Sequence, residues 1–256
     1  MFEEFPGQKF FEFNKVRDGI NQLTDKVAGA KKNIVNKPIV LNVYSPTCPD
    51  LTVIDLPGIT RIPLANSGQP DDIERVTKEM AEHYVGDPRT IILCVIPANA
   101  DLTTSEALQM ARRLDPKGIR TVGVITKIDI MDRGVDARRM LLGQEVPLRL
   151  GYVGVKNRSQ QDIIDALNVK KALNSEREFF RNHPIYSTLP PELLGCDSLT
   201  NKLMKIFFTH IRRYLPEIMR EITAKIKETE GKLRDLGPPM PVNQHEKIQL
   251  LWQMIS

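Results

Sequence analysis

Cysteine is scarce in this 256-residue chain. Cys48, Cys94 and Cys196 are widely spaced, odd in number and free of any C-x-x-C pairing. That excludes a disulfide framework and a cysteine-based zinc site, and it suits buried thiols in a reducing compartment. Long apolar runs are missing too: the densest, residues 90–96, has the length of a strand and not of a membrane span. Glu3 and Glu4 stand where a secretory leader would carry basic residues, and no long apolar stretch follows them. Charge of one sign is not concentrated. A net charge of +4 supplies no argument for a nucleic-acid or lipid partner, and none is expected from it. There are no repeats and no low-complexity tracts. The most telling absence is of a motif: G-x-x-x-x-G-K-[ST], the loop whose amides cradle nucleotide phosphates, occurs nowhere in the chain.

What is present looks globular. A hydrophobic fraction of 41% and a charged fraction of 27% are ordinary, and the length allows one large domain or a domain with an appendage. Phe13, Val16, Ile20 and Leu23 recur at helical spacing and predict a helix over 10–26. Residues 38–44 alternate as a half-buried strand does. The β-branched runs 51–55, 90–96 and 121–126 predict strands buried on both faces. Helices are expected from the Asp71-Asp72 cap to about Tyr84, and from Thr103 or Thr104 to just before Pro116. A further strand over 152–155 precedes the polar loop Asn157-Arg158-Ser159-Gln160. This alternation predicts an α/β fold, a mostly parallel sheet with helices on both faces, and ligands at the carboxyl ends of its strands. Asp55, Thr126 and Asn157 each follow a predicted strand, which would bring three loops to one rim.

The second half is helical. Residues 199–215 and 217–236 form one long amphipathic stretch, with Ile218, Ile222, Ile226 and Leu233 along a face and Pro216 interrupting it. A proline there removes a backbone donor and crowds the preceding turn, so a kink or joint is expected. Gly237-Pro238-Pro239-Met240-Pro241 reads as a stiff break before another helix begins.

Two tetrapeptides carry the chemistry. In Asp55-Leu56-Pro57-Gly58 the carboxylate suits a magnesium ion held through water beside nucleotide phosphates, and Gly58 lets its N–H approach a γ-phosphate. Loss of that phosphate would release the following loop. The same four residues also read as a plain turn after a strand. In Thr126-Lys127-Ile128-Asp129 the Asp129 carboxylate can accept from guanine N1–H and the 2-amino group, while the Lys127 stem lies along the base. Adenine offers neither donor there and would leave the carboxylate unpaired. Alone, this segment also reads as a solvated loop. Asn157, Arg158 and Gln160 complete a base-side wall.

Longer segments carry a resemblance. Tyr44-Ser45-Pro46 leading into Leu51-Thr52-Val53-Ile54-Asp55-Leu56-Pro57-Gly58-Ile59-Thr60, then Pro97-Ala98-Asn99-Ala100-Asp101-Leu102, closely resemble the dynamin superfamily of large GTPases. So do Gly123-Val124-Ile125-Thr126-Lys127-Ile128-Asp129 and Gly151-Tyr152-Val153-Gly154-Val155-Lys156-Asn157-Arg158-Ser159-Gln160, in family order over nearly the whole chain. The resemblance implies a P-loop GTPase-like domain over 1–215 and the start of a helical bundle or stalk over 216–256. It implies GTP with Mg2+ as substrate, Lys127 and Asp129 as guanine-specificity residues, and Asn157, Arg158 and Gln160 as the base and ribose loop. Asp132 falls where the family contacts the nucleotide. Asp101 falls where two GTPase domains pair, although it also reads as the cap of the helix near Thr103. Pro216 falls at the joint between domain and bundle, or is simply a kink in a packed helix.

The departures matter equally. The family's P-loop and switch threonine would lie before Met1, and Gly29-Ala30-Lys31-Lys32 is no substitute. Met1 is therefore expected to be a cloning or gene-model boundary and not a natural loss. A gap, a re-paired sheet or an exposed edge is expected where the P-loop strand would sit. Without the cradle, tight nucleotide binding and hydrolysis by this chain alone are not expected. The resemblance implies a cytoplasmic, peripherally membrane-associated parent that hydrolyses GTP, self-assembles and remodels or divides membranes, its membrane contacts lying outside these residues. The rival expectation is a pseudo-GTPase interaction module that binds partners without hydrolysis.

Overall fold

The computed structural model describes residues 1–29, 34–46, 50–59, 72–132, 134–237, 248 and 252. It divides into two compact units, Met1–Leu203 and Met204–Ser256. In the first, helices α1 (Phe13–Ala28) and α2 (Ile73–Val85) precede strand β1 (Ile92–Pro97). Then come α3 (Glu106–Leu114), β2 (Thr121–Thr126), α4 (Arg138–Leu141), β3 (Tyr152–Gly154), α5 (Gln160–Ile164) and α6 (Val169–Asn182). Helix α7 (Cys196–Asp235) begins in the first unit and ends in the second.

The three strands are parallel in the order β1-β2-β3, so the fold is the expected α/β class. β2 lies in the middle and is buried from Thr121 to Ile125, as a strand covered on both faces must be. Two register rows show how. Cys94, Gly123 and Tyr152 share one level, and the Tyr152 ring lies where a side chain at Gly123 would be: a Cβ there would stand 2.1 Å from it. Tyr152 is fully buried, its hydroxyl donates to the Val146 carbonyl at 2.7 Å, and burial pushes it up to about 12. On this face Ile96, Leu108, Ile125, Leu141, Phe180 and Tyr186 form the main core. On the other face Val124, Val153 and Val155 pack against Cys196 and Leu199 of α7. Helices therefore cover both faces of the β2–β3 pair.

The sheet's base is tied by a guanidinium that bonds carbonyls and a carboxylate that bonds amides. The buried Arg120 guanidinium donates to the carbonyls of Val85, Thr90 and Leu114 at 2.8–2.9 Å. Buried Asp115 accepts from the Ile119 and Arg120 amides and the Thr121 hydroxyl.

The front of the chain departs from the expectations. The 51–55 run makes no strand: Leu51, Val53 and Ile54 are exposed, with Val53 at 77%. No described strand pairs with the outer edge of β1, so this β-branched run has no ladder to join. β1 is accordingly buried on one face only. Cys94 and Ile96 point into the core, while Leu93 and Val95 are 41% and 52% exposed on the side where β2 and β3 carry buried valines. Of the three outcomes expected for the sheet, the exposed edge is the one found among the described residues. Among the described residues the 38–44 strand reduces to a single antiparallel bridge between Leu41 and Phe2, flanked by Glu3 N–H on the Val40 carbonyl and Asn42 N–H on the Met1 carbonyl. The first helix starts at Phe13, which is 86% exposed; Leu23 and Gly19 form the buried side, with the Phe2 ring against Gly19.

Later elements keep closer to pattern. Asp72 is the N-cap of α2, but its carboxylate bonds the Arg75 guanidinium instead of a backbone amide. The helix expected from Thr103 is a short 3-10 turn, Leu102–Thr104, followed by α3, whose Ser105 cap accepts from the Leu108 amide. In the second unit α7 is continuous through Pro216, whose carbonyl accepts from Arg220 Nε at 3.3 Å. Its stripe of Leu215, Met219, Ile222, Ile226 and Leu233 is exposed. Asp71, Ala30-Lys31-Lys32, Thr60 and the 238–241 break lie outside the described residues, as does nearly all of the final helix.

Candidate functional site

The carboxyl ends of the three strands define a rim. Ile125 and Gly154 are ladder partners, Val155 N–H donates to the Ile125 carbonyl at 2.8 Å, and Ala98 N–H donates to the Thr126 carbonyl at 2.8 Å. The segments 97–101, 126–129 and 155–160 therefore leave the sheet side by side, where parallel α/β sheets bind ligands.

The 126–129 turn is built on its apolar residue. Ile128 is 2% exposed and enters the core beside Leu141, over a glycine: a Cβ on Gly154 would stand 3.0 Å from its Cδ1. To bury Ile128 directly after the strand, the chain turns at Lys127 with φ 57, a left-handed conformation uncommon for a long side chain and often found at functional sites. The outcome is an exposed Lys127 and a half-buried Asp129 on a pinned turn, with Ile130 N–H bonded to the Lys127 carbonyl at 3.3 Å. Asp132 is exposed, and its carbonyl accepts from Val135 N–H at 3.1 Å. The loop is secured further on, where Ala137 N–H donates to the buried Tyr186 hydroxyl at 3.1 Å.

The neighbouring loop is anchored at both ends. Lys156 N–H donates to Glu176 Oε1 of α6 at 2.9 Å, and the Lys156 ammonium stands 5.4 Å from the Phe179 ring centre. Ser159 caps α5 in a reciprocal pair with Asp162, whose carboxyl is held below the usual carboxylate range by the Ser159 amide and hydroxyl. Between these anchors Asn157 and Arg158 are exposed, with Arg158 Nη1 donating to the Leu167 carbonyl at 3.0 Å; Gln160 opens α5, also exposed. The structure thus brings Thr126, Lys127, Asp129, Asn157, Arg158 and Gln160 onto adjacent loops of one rim.

It does not bring Asp55 and Gly58 there. They lie in the exposed extended segment outside the sheet, so the third loop of the expected rim is not assembled from them. Among the described residues no three His, Cys, Asp or Glu side chains gather as metal ligands, and Asp55 stands exposed in the extended segment. Asp101 does reach the rim, and its carboxylate accepts from the Thr103 amide and hydroxyl, both at 2.8 Å. These Thr103 bonds lower its carboxyl from the ordinary value, so Asp101 is a cap in this structure.

Sequence reasoning missed Glu176 and Tyr186. Glu176 sits on the α6 stripe formed with Ala172 and Phe180, a charge at a helical apolar position, and that is the signal that could have found it. Tyr186 gave no local signal.

Comparison with known proteins decides the family. The family model described as "Dynamin family" matches residues 1–128, and that described as "Dynamin central region" matches 136–256. The chain belongs to the dynamin family. Among its dynamin relatives, Dynamin-B of Dictyostelium discoideum is 42% identical over 250 residues, 98% of this chain and 27% of that protein. Vacuolar protein sorting-associated protein 1 of Schizosaccharomyces pombe is 43% identical over 249 residues, 97% of this chain and 36% of its own length. Dynamin-related protein 3B of Arabidopsis thaliana is 44% identical over 236 residues, 90% of this chain and 30% of its own. The chain spans about a third or less of each of these dynamin relatives.

Proposed function

We propose that this chain is the guanine-reading part of a dynamin-type GTPase, with the GTPase domain over 1–215 and the start of a helical bundle over 216–256. The observation that carries the reading is the pair of adjacent loops, 126–129 and 156–160, seated by ladder partners at one rim. Asp129 accepts from guanine N1–H and the 2-amino group, Lys127 lies along the base, and Asn157, Arg158 and Gln160 close the base and ribose side. Thr126 and Asp132 line the same opening. The pinned Ile128 keeps Asp129 in place before the base arrives, so less ordering is required on binding.

Phosphate and magnesium chemistry, to which Asp55 and Gly58 would contribute, belongs to a chain that also carries the G-x-x-x-x-G-K-[ST] cradle. The 256 residues alone bind no nucleotide tightly and do not hydrolyse GTP. Parent-level properties are proposed from family membership: GTP hydrolysis, pairing of GTPase domains near Asp101, a lever joint at Pro216, self-assembly, and remodelling of a membrane approached from the cytoplasm. No described helix is long and apolar enough to cross a membrane. The missing cradle motif favours one rival, a scaffold that uses the fold for binding only. Reading the coding sequence upstream of Met1 separates them: an in-frame strand and cradle supports the enzyme, and intact coding sequence without one supports the scaffold.

Two measurements test the site. Titrating the 256-residue chain with a fluorescent GTP analogue should show no magnesium-dependent binding in the micromolar range; such binding would overturn the assignment of affinity to the cradle. In a chain that carries the cradle, Asp129→Asn should weaken GTP and favour xanthosine triphosphate, because the amide offers a donor to the 2-oxo group. Unchanged GTP preference would refute the role of Asp129.

A further inference from the structure

Glu176 is 2% exposed, yet no ion pair engages it among the described residues. Its two oxygens face in two directions. Oε1 accepts from Lys156 N–H at 2.9 Å, at the root of the 157–160 loop, and takes the Cys196 thiol at 3.3 Å. Oε2 accepts from Cys196 N–H at 2.9 Å, the first amide of the forty-residue α7. A buried carboxylate is costly unless donors surround it, and the unpaired amides at a helix start carry the positive end of the helix dipole. The approach depends on Gly195, whose φ of +87 disfavours any side chain and whose N–H is bonded to the Gly154 carbonyl at 2.8 Å. The Cys196 thiol stays protonated beside the carboxylate; burial first, then Glu176, pushes it up to about 12.

We propose that Glu176 is a positioning residue that locks the base-side loop to the first turn of α7, so that neither can shift without releasing the other. One carboxylate shared by two backbone amides makes the two segments a single mechanical unit. For the loop's role toward a guanine nucleotide this rests on the reading above; the lock itself does not.

Amide hydrogen exchange of the 256-residue chain, resolved by NMR, tests it. Glu176→Gln keeps the volume but turns a donor toward one of the two amides. Lys156 and Cys196 should then exchange at least about tenfold faster together, while Val122 and Val124 of β2 keep their wild-type rates. Cys196→Pro removes the second amide at a helix position where proline is tolerated, and should speed exchange at Lys156, forty positions away in sequence. Cys196→Ala keeps that amide and should leave Lys156 unchanged. Acceleration at only one of the two amides, uniform acceleration across β2, or a wild-type Lys156 rate in Cys196→Pro would each overturn the lock. Millimolar GDP provides the second arm: shifts at Asp129 and Asn157 should extend to Cys196 in the wild type and stop at Lys156 in Glu176→Gln. Absence of any shift at Asp129 in the wild type would refute the nucleotide reading, and the exchange rates would still decide the lock.

Discussion

Two β-branched runs of similar composition have opposite fates in this chain. Residues 121–126 form the buried centre of the sheet, whereas 51–55 lie extended and exposed. Each leads into a turn motif that carries an aspartate. What differs is company: β2 has a parallel partner on either side and helices over both faces, and the earlier run has no described strand beside it. Strand propensity is therefore permissive, and a ladder with covered faces is what makes a strand.

The comparison can be broken most forcefully at Tyr152. Tyr152→Ala removes the ring that fills the space over Gly123 and should cost about 4 kcal/mol. Val53→Ala, in the exposed run, should stay within about 0.5 kcal/mol. Urea unfolding of both variants measures the contrast, and equal losses would contradict it.

A smaller effect sharpens the view of the site. Ile128→Ala should cost about 3 kcal/mol and, because it unpins Lys127, should also broaden the NMR signals of Asp129 more than those of β1. Stability lost without that local broadening would mean that Ile128 supports only the core.

Much of this was legible beforehand. β2, β3 and the 126–129 motif announced themselves through β-branched residues ending in a turn, and the structure places them at one rim. The 51–55 strand was misjudged because local pattern cannot reveal whether a neighbouring strand exists. The grip on the loops was hidden for a different reason. Glu176 and Tyr186 act across 20 and 49 positions of sequence, through hydrogen bonds that no local spacing encodes.

Two milder predictions follow from the loop anchors. Ser159→Ala should cost about 1 kcal/mol of local order in α5, read as faster amide exchange over 160–164. Its partner Asp162 has a lowered folded value, so the stabilisation is complete above the ordinary carboxylate range and is lost as pH falls through that folded value; a pH titration of the Ser159 amide signal checks the sign. The smallest effect concerns chemistry at the thiols. Because Cys94 and Cys196 are both pushed up to about 12, alkylation of either at pH 8 should be slow beside that of a free cysteine, as peptide mass spectrometry would show.

The Arg120 knot bears on how such experiments can be interpreted. Its guanidinium is satisfied by three carbonyls at the end of the sheet opposite the rim, so added electrolyte finds no ion pair within the knot to screen, in contrast to the exposed Arg89–Asp87 pair in the neighbouring turn. A nucleotide's phosphates, in contrast, respond steeply to ionic strength. In a salt titration of a nucleotide-binding form of this protein, the scaffold therefore serves as a built-in reference: signals from Thr121 and Val122 should stay fixed while those at the rim move.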